Sequence, residues 1–217
     1  MSQAITQQRL RIQYAKQGAL RYVGHLDLAT TWERVLRRAD LPLEYTRGFN
    51  ARPRLQFAAA LPVGLTSEAE LLDVWLTERV PYEPASALIE RLNATSPAGL
   101  RTLGVTEVAI KAPALPPQVA SAEYIIAPND PAFSRDDLWA RAQALLAQAR
   151  IERVLRGKTY DLRPLILELG QDDDGLLIAR LSTGERANAR ADELVAALGL
   201  DLGQVSAHRR RLFLSEE

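Results

Sequence analysis

A proline-rich segment divides the sequence into two halves of similar pattern. Three prolines fall within residues 112–117, and such dense prolines interrupt helices and strands because the ring fixes φ and removes the amide hydrogen. On each side of this segment the apolar pattern predicts the same order of strand, helix, strands, helix, strand. We therefore predict an α+β protein of two domains, at 1–112 and 118–217. Each would be a ferredoxin-like split βαβ module with an antiparallel sheet.

The first half contains the clearest helical pattern. Apolar residues recur at helical spacing within residues 26–39 and predict one buried face, formed by Leu28, Trp32, Val35, Leu36 and Ala39. Alternating or apolar runs predict the remaining elements of this half. They are strands at 10–14, 43–46, 54–60 and 72–77, a short helix at 84–93 and an extended segment at 100–110.

The second half opens with a strand at 122–127 and a helix that starts at a capping box. Ser134 and Asp137 have the spacing at which each side chain can bond the other residue's backbone amide. The helix is predicted to run through Ala149, with a core face of Leu138, Ala142, Leu145, Leu146 and Ala149. Further elements are predicted from the apolar pattern: strands near 151–155, 165–169 and 176–181, a helix at 191–198 and a last strand at 211–214.

Composition excludes several classes of site. The chain has 27 basic and 27 acidic residues, so its net charge is zero, and it has no cysteine. Disulfides, zinc–thiolate sites and iron–sulfur clusters are therefore excluded within the chain. Absence of cysteine suits the reducing cytoplasm, where we expect the protein. The first eight residues lack an apolar signal core, and no apolar run approaches the roughly 20 residues that span a bilayer.

Several motifs stand in order in the first half. They are Lys-Gln-Gly-Ala-Leu-Arg-Tyr-Val-Gly-His-Leu-Asp at 16–27, Arg-Gly-Phe-Asn-Ala-Arg-Pro at 47–53 and Leu-Pro-Val-Gly at 61–64, followed by Ser67, Glu70 and Asp73. In this order they resemble the radical SAM-associated domain of unknown function, which occurs at the C-terminus of bacterial radical SAM proteins or beside them. The segment Lys-Thr-Tyr-Asp-Leu-Arg-Pro at 158–164 resembles a second motif of that family.

The resemblance implies a radical SAM protein as a partner in trans. This chain has no radical SAM domain and no cluster-binding cysteines, so it cannot start radical chemistry itself. The family has no settled activity to transfer. Its association with genes for ribosomal and RNA-processing proteins implies RNA as a second partner.

Clustered arginines are the strongest candidate binding site. Three lie on one helix face and three surround a loop that Gly48, Asn50 and Pro53 constrain. Guanidinium groups suit phosphate oxygens, and Phe49 could stack on an unpaired base. The predicted nucleic-acid-binding residues are Arg34, Arg37, Arg38, Arg47, Phe49, Asn50, Arg52 and Arg54. The alternative is a solvated surface whose arginines pair with Glu33, Glu44 and their neighbours, with the helix arginines favoured by their place near a helix C-terminus. Three arginines on so short a loop repel one another unless an anion or carboxylates compensate, which favours the binding role.

Two further basic clusters lie in the second half. One contains Arg153, Arg156, Lys158 and Arg163, and the other is the run Arg209-Arg210-Arg211.

His25 is the single candidate catalytic residue. It lies at a predicted helix start beside Asp27, and histidine is a residue type that often acts as a general acid or base. It could act as the base of a metal-independent ribonuclease, or it could cap the helix or bond a buried carbonyl. Asp27 is interpreted as a negative charge that stabilises the N-terminus of this helix.

The remaining acidic residues are interpreted as structural. A turn and an edge strand explain Ser67, Glu70 and Asp73, and residues 172–175 (Asp-Asp-Asp-Gly) predict a hairpin turn rather than a calcium loop. Asp161 would pair with an arginine and hold the two halves together. No metal and no cofactor are predicted.

These observations favour a noncatalytic RNA-binding or substrate-presenting accessory protein. It would work with a radical SAM partner or in the processing or modification of ribosomal or transfer RNA. Two alternatives stay open: a ribonuclease that uses His25, and a protein-interaction module without nucleic acid. The sequence does not indicate the oligomeric state.

Overall fold

The computed structural model describes residues 6–130, 133–155, 157–184 and 189–215. Within them the chain is an α+β protein with mostly antiparallel strands, as predicted. Two compact units are present. Unit 1 comprises the chain up to residue 63 together with 68–118, and unit 2 comprises 64–67 together with the chain from 119. None of the described helices is long and apolar enough to cross a membrane.

Unit 1 contains a sheet, two longer helices and one short helix. The elements are β1 (Gln8–Lys16), α1 (His25–Arg38), β2 (Leu55–Phe57), β3 (Thr66–Leu76), α2 (Ala85–Thr95), β4 (Leu100–Val108) and the short α3 (Leu115–Gln118). A 3₁₀ turn at Gly18–Tyr22 follows β1. The sheet has the order β4-β1-β3-β2, with β1–β4 and β2–β3 antiparallel.

The core of unit 1 forms on the predicted face of α1. All five residues of that face are buried: Leu28, Trp32, Val35, Leu36 and Ala39. The ring of Trp32 meets the ring of Tyr14, from β1, edge-on at 5.0 Å between centroids, an arrangement that aromatic pairs prefer. The 3.6-residue period therefore identified the buried stripe correctly because the helix places each of these side chains on one side.

β3 corrects one prediction. Ser67, Glu70 and Asp73 are all buried within this strand, which lies between β1 and β2, so the interpretation as a turn and an edge strand was wrong. Asp73 accepts hydrogen bonds from Arg9 at 2.6 and 3.1 Å and from Arg11 at 2.8 and 3.0 Å. Two guanidinium groups compensate the buried carboxylate. The interior strand can therefore carry a charge that alternation alone assigned to an exposed face.

Unit 2 contains the remaining helices and strands. The elements are β5 (Val119–Pro128), α4 (Arg135–Leu146), β6 (Glu152–Leu155), β7 (Lys158–Asp161), β8 (Ile166–Gln171), β9 (Leu177–Ser182), α5 (Ala191–Ala197) and β10 (Val205–Leu214). The sheet has the antiparallel order β10-β5-β9-β8, and the first residues of β3 pair with β10 in parallel. β6 and β7 form a separate antiparallel hairpin.

The predicted capping box begins α4. The backbone amide of Asp137 donates to Ser134 Oγ at 3.0 Å, and Asp137 Oδ2 accepts from the Ser134 amide at 3.1 Å. The helix ends at Leu146 rather than Ala149, and Ala149 is exposed, so its place in the predicted core face was wrong. Ala149 carries too little apolar surface to extend the helix by burial, which supplies most helical stability in proteins.

Two aspartates of unit 2 bond backbone amides. Asp172 accepts from the amides of Asp174 and Leu176 in the turn between β8 and β9, which confirms the predicted hairpin. Asp161 accepts from the amides of Ile151 at 2.9 Å and Arg163 at 3.0 Å. Arg150 and Arg163 also attract this carboxylate, although no described arginine forms an ion pair with it, because so short a side chain reaches nearby backbone donors first.

Candidate nucleic-acid interface

The loop after α1 is closed by its own backbone. The amide of Thr46 donates to the carbonyl of Arg52 at 2.8 Å, and the amide of Arg52 donates to Thr46 Oγ1 at 3.1 Å. Gly48 has φ +124°, a conformation that side chains other than glycine rarely adopt. Phe49 lies between these closing contacts with its side chain fully exposed, at 103%. The loop therefore presents an aromatic ring to solvent.

Glu33 ties the loop to α1. Its carboxylate accepts from Arg52 Nη2 at 2.8 Å and lies 3.8 Å from Arg37 Nη2. Arg52 Nη2 also donates to Thr30 Oγ1, one turn earlier on the helix, at 3.2 Å. The Glu33 side chain is only 10% exposed, whereas the two arginines are about half exposed. One carboxylate thus orients two guanidinium groups, which keep further donors for other partners.

Two of the predicted binding arginines lie over aromatic rings. Arg54 pairs with Glu44 at 3.1 Å, and its guanidinium carbon lies 4.4 Å from the centroid of the Trp75 ring. Arg37 Nε donates to the hydroxyl of Tyr45 at 3.3 Å, with its guanidinium 5.8 Å from that ring. The ion pairs to Glu33 and Glu44 that formed the alternative interpretation are therefore present. They restrict the arginines without removing them from solvent.

Arginines still outnumber carboxylates along this stretch. Residues 28–54 contain six arginines against the three carboxylates of Glu33, Asp40 and Glu44, which leaves three positive charges in a chain of zero net charge. All eight predicted binding residues are exposed, and we call them the arginine surface: Arg34, Arg37, Arg38, Arg47, Phe49, Asn50, Arg52 and Arg54. A local excess of this kind attracts anions whatever the total charge of the molecule.

The basic clusters of the second half are divided by the fold. Arg209 is 1% exposed and donates to the hydroxyl of Tyr124, whereas Arg210 pairs with Glu123 at 2.8 Å. Arg153 pairs with Glu193 at 3.0 Å. Lys158 is exposed and Arg163 half-buried, and Arg156 lies outside the described residues. β10 distributes its arginines among different environments, so the run Arg209-Arg210-Arg211 does not form one basic patch.

His25 is the first residue of α1 and is exposed. The helix is capped by Gly24 and not by the histidine. The His25 ring meets the ring of Phe57 edge-on at 5.1 Å, and among the described residues it forms no hydrogen bond or ion pair. The Phe57 ring positions the imidazole, but it has no hydrogen-bonding group that could orient the imidazole proton for catalysis.

Two exposed apolar side chains lie near His25. Leu26 is 77% exposed and Tyr22 is 64% exposed. In the part of the chain that the structure describes, no group of three or more His, Asp or Glu could hold a metal ion.

Sequence reasoning found the arginines and named Glu33 and Glu44 as their partners in the alternative interpretation, but it missed Thr30 and Trp75. The spacing of Glu33 and Arg37, four residues apart on a helix, is a local signal for their pair. By contrast, the contacts of Arg52 with Glu33 and of Arg54 with Trp75 join residues about 20 positions apart, and no periodicity predicts them.

The described features define an α+β protein with an exposed, arginine-rich surface around a loop that presents one aromatic ring. The model of the family described as "Uncharacterized protein conserved in bacteria (DUF2344)" matches residues 9–191. The chain belongs to this bacterial family. No curated protein matches it.

Proposed function

We propose that this protein binds single-stranded RNA through the arginine surface and acts as a noncatalytic accessory protein. The observation that carries the proposal is the joint exposure of Phe49 and an excess of arginines that Glu33 and Glu44 hold in place. RNA-binding proteins commonly recognise single strands by stacking bases on aromatic side chains and by bonding phosphates through guanidinium groups.

The carboxylates support this proposal rather than weaken it. An arginine has five N–H donors in a fixed fork, and the contact with Glu33 leaves most donors of Arg52 unused. Because Glu33 also attracts Arg37, both guanidinium groups are held near the loop before RNA arrives. Side chains that are already ordered lose less conformational entropy on binding.

A salt titration with a short single-stranded RNA tests the proposal. Phe49→Ala should lower affinity about 5- to 150-fold, since stacking contributes roughly 1–3 kcal/mol per base. Arg52→Gln with Arg54→Gln should reduce the dependence of log affinity on log salt by about 0.7 for each phosphate that the variant no longer neutralises. Phe49 is fully exposed, so its substitution leaves the core untouched.

Two matched controls lie in unit 2. Leu167 is exposed and apolar, and Arg211 is exposed and basic. Leu167→Ala and Arg211→Gln should leave affinity and salt dependence unchanged. If the surface variants behave like these controls, RNA binding at this surface is wrong and a protein-interaction module becomes the better assignment. Cleavage of the RNA in chelator, abolished by His25→Gln, would instead replace the noncatalytic assignment by a ribonuclease.

An accessory protein needs a partner that carries out the chemistry, and a radical SAM protein is the partner that the sequence motifs favour. The support for this partner is the resemblance of residues 16–27, 47–53 and 61–64 to the radical SAM-associated domain, together with the absence of cysteines. We propose that the chain presents RNA to a separate radical SAM protein in the bacterial cytoplasm. The partner would supply the cluster and the chemistry, and this chain would supply substrate binding.

A fold assignment accompanies the functional one. The orders β4-β1-β3-β2 and β10-β5-β9-β8 each carry one helix between the first and second strands and one between the third and fourth. This arrangement supports the proposal that each unit is a split βαβ, ferredoxin-like module. Because fold and function are separable, the RNA proposal rests on the arginine surface alone.

A further inference from the structure

A cavity of about 260 Å³ opens beside α1 in unit 1. It lies between the helix, the 3₁₀ turn that precedes it and the end of α2. Seven residues line it: Leu20, Thr31, Arg34, Val35, Arg38, Thr95 and Pro97. All of them belong to unit 1. The volume is close to the lower end of ligand pockets, about 300–1,000 Å³, and suits one small ligand.

The two arginines of this cavity differ from those of the loop. Arg34 and Arg38 lie one helical turn apart and are exposed, and in the described chain neither forms an ion pair or a hydrogen bond. None of the seven lining residues is acidic. Arg37, Arg52 and Arg54 all have carboxylate partners. Two adjacent guanidinium groups without a counter-charge favour an anionic group such as a phosphate.

The two threonines of the cavity use their hydroxyl hydrogens for bonds within the protein. Thr31 Oγ1 donates to the carbonyl of Asp27 at 2.8 Å, and Thr95 Oγ1 is within bonding distance of the carbonyls of Leu92 and Val35, at 3.0 and 3.2 Å. A hydroxyl has one hydrogen, so each oxygen is left with lone pairs that can accept from a ligand. The cavity therefore offers cationic donors for an anion and hydroxyl acceptors for an N–H group.

Apolar side chains complete the lining. Pro97, which is exposed, together with the largely buried Leu20 and Val35, provides an apolar surface on which a ring can pack. The ligand that satisfies all three requirements has an anionic group, a flat body and an amino group. We propose that this cavity binds a single nucleotide, with its phosphate on Arg34 and Arg38 and an amino-bearing base toward Thr31 and Thr95. The inference rests on the proposed function, since both arginines are part of the arginine surface.

Calorimetric titration with three probes tests the ligand chemistry. Adenosine 5′-monophosphate should bind. Adenosine, which lacks the phosphate, should bind at least tenfold more weakly. Uridine 5′-monophosphate, which lacks the amino group, should bind several-fold more weakly. The double variant Arg34→Gln, Arg38→Gln should lose at least tenfold in affinity for adenosine 5′-monophosphate, whereas Arg101→Gln, an exposed arginine of β4 outside the cavity, should not.

Amide chemical shifts locate the bound nucleotide. The expected changes centre on Leu20, Thr31, Val35 and Thr95. Three results would each overturn the inference. The double variant could bind adenosine 5′-monophosphate as tightly as the wild type, adenosine could bind as tightly as its monophosphate, or the shift changes could be confined to other regions.

A parallel titration with RNA separates this inference from the proposed function. If the double variant loses the mononucleotide but retains the RNA, the cavity serves a free nucleotide. If it loses both, the cavity holds one nucleotide of the bound RNA. If RNA binding depends on Phe49 while no mononucleotide binds, the cavity inference fails and the proposed function stands.

Discussion

Asp73 and Asp161 carry the same carboxylate in opposite surroundings. Asp73 has no exposed surface and is held by the side chains of Arg9 and Arg11. Asp161 lies at the end of β7 and accepts from the backbone amides of Ile151 and Arg163. Removing one partner from a buried pair such as Arg9–Asp73 typically costs about 3–5 kcal/mol, because the remaining charge stays buried. Asp161 instead stabilises the fold through hydrogen bonds from backbone amides, which are stronger when its carboxyl is ionised.

The pH dependence of stability follows from Asp161. Its bond from the Ile151 amide, aided by that from Arg163, lowers the pKa of this carboxyl below its ordinary value. A carboxyl whose pKa is lower in the folded than in the unfolded state stabilises the fold above the unfolded pKa. That stabilisation is lost as pH falls through the folded pKa. Asp161→Ala should therefore lower the urea midpoint at pH 7. The difference in midpoint between wild type and variant should shrink progressively below about pH 4, as the wild-type carboxyl is protonated.

Asp161→Asn is the matched control for that measurement. The amide keeps an oxygen that can accept from both backbone donors but has no charge to titrate. Its urea midpoint should lie between those of the wild type and the alanine variant. A gap between wild type and Asp161→Ala that stays constant from pH 7 to pH 3 would contradict the assigned role.

Helix ends are decided at the scale of the element. α4 begins at a capping box that Ser134 and Asp137 form, and its last predicted turn is missing. α1 begins without a side-chain cap and is stabilised by burial of its apolar face. Local hydrogen bonds thus start one helix, whereas tertiary packing supports the other.

Loss of the capping side chain should destabilise α4 measurably. Ser134→Ala removes the acceptor for the Asp137 amide and should lower the free energy of unfolding by about 1 kcal/mol. The hydrogen bond from Ser134 is also the main cause of the lowered pKa of Asp137. An NMR titration of the variant should show that pKa rising toward its ordinary value. Ser134→Asp, which retains a capping oxygen, should preserve most of the stability, and equal losses in both variants would contradict the capping role.

β3 contributes residues to both units. Its first residues, through Ser67, are part of unit 2, and its remaining residues are part of unit 1. Thr66 and Ser67 pair with His208 and Arg209 of β10 in parallel. Ser67 Oγ donates to the Arg209 carbonyl at 3.2 Å, and Thr66 Oγ1 lies 2.8 Å from His208 Nδ1. Unit 2 is therefore not a continuous piece of the chain.

Division of the chain after Gln118 should show that unit 2 depends on residues 64–67. A fragment of residues 119–217 lacks the segment 64–67, so part of the β10 edge is left without its strand partner. Unpaired edges promote association with other chains. We expect the fragment to aggregate or to unfold at a lower temperature than the full chain, and production together with 1–118 to restore its solubility. A monomeric fragment with the melting temperature of the full chain would contradict this expectation.

Local patterns were sufficient for several elements. The apolar face of α1, the start of α4 and the turn at Asp172 all follow from residues within a few positions of one another, and the structure confirms each. The hairpin partner β7 was missed, because Lys158–Asp161 has no apolar alternation and, among the described strands, pairs with β6 alone. The antiparallel α+β class was recognised from the order of these elements alone.

The identity of the arginine surface was readable from the sequence because its residues are near neighbours along the chain. Its geometry was not. The contact of Arg52 with Glu33, the stacking of Arg54 on Trp75 and the cavity between α1 and Thr95 all join residues that only folding brings together. The burial of Asp73 has the same origin, since its compensating arginines lie more than 60 positions away on β1. Periodicity reports which side of an element a residue faces, but only tertiary packing decides what stands opposite it.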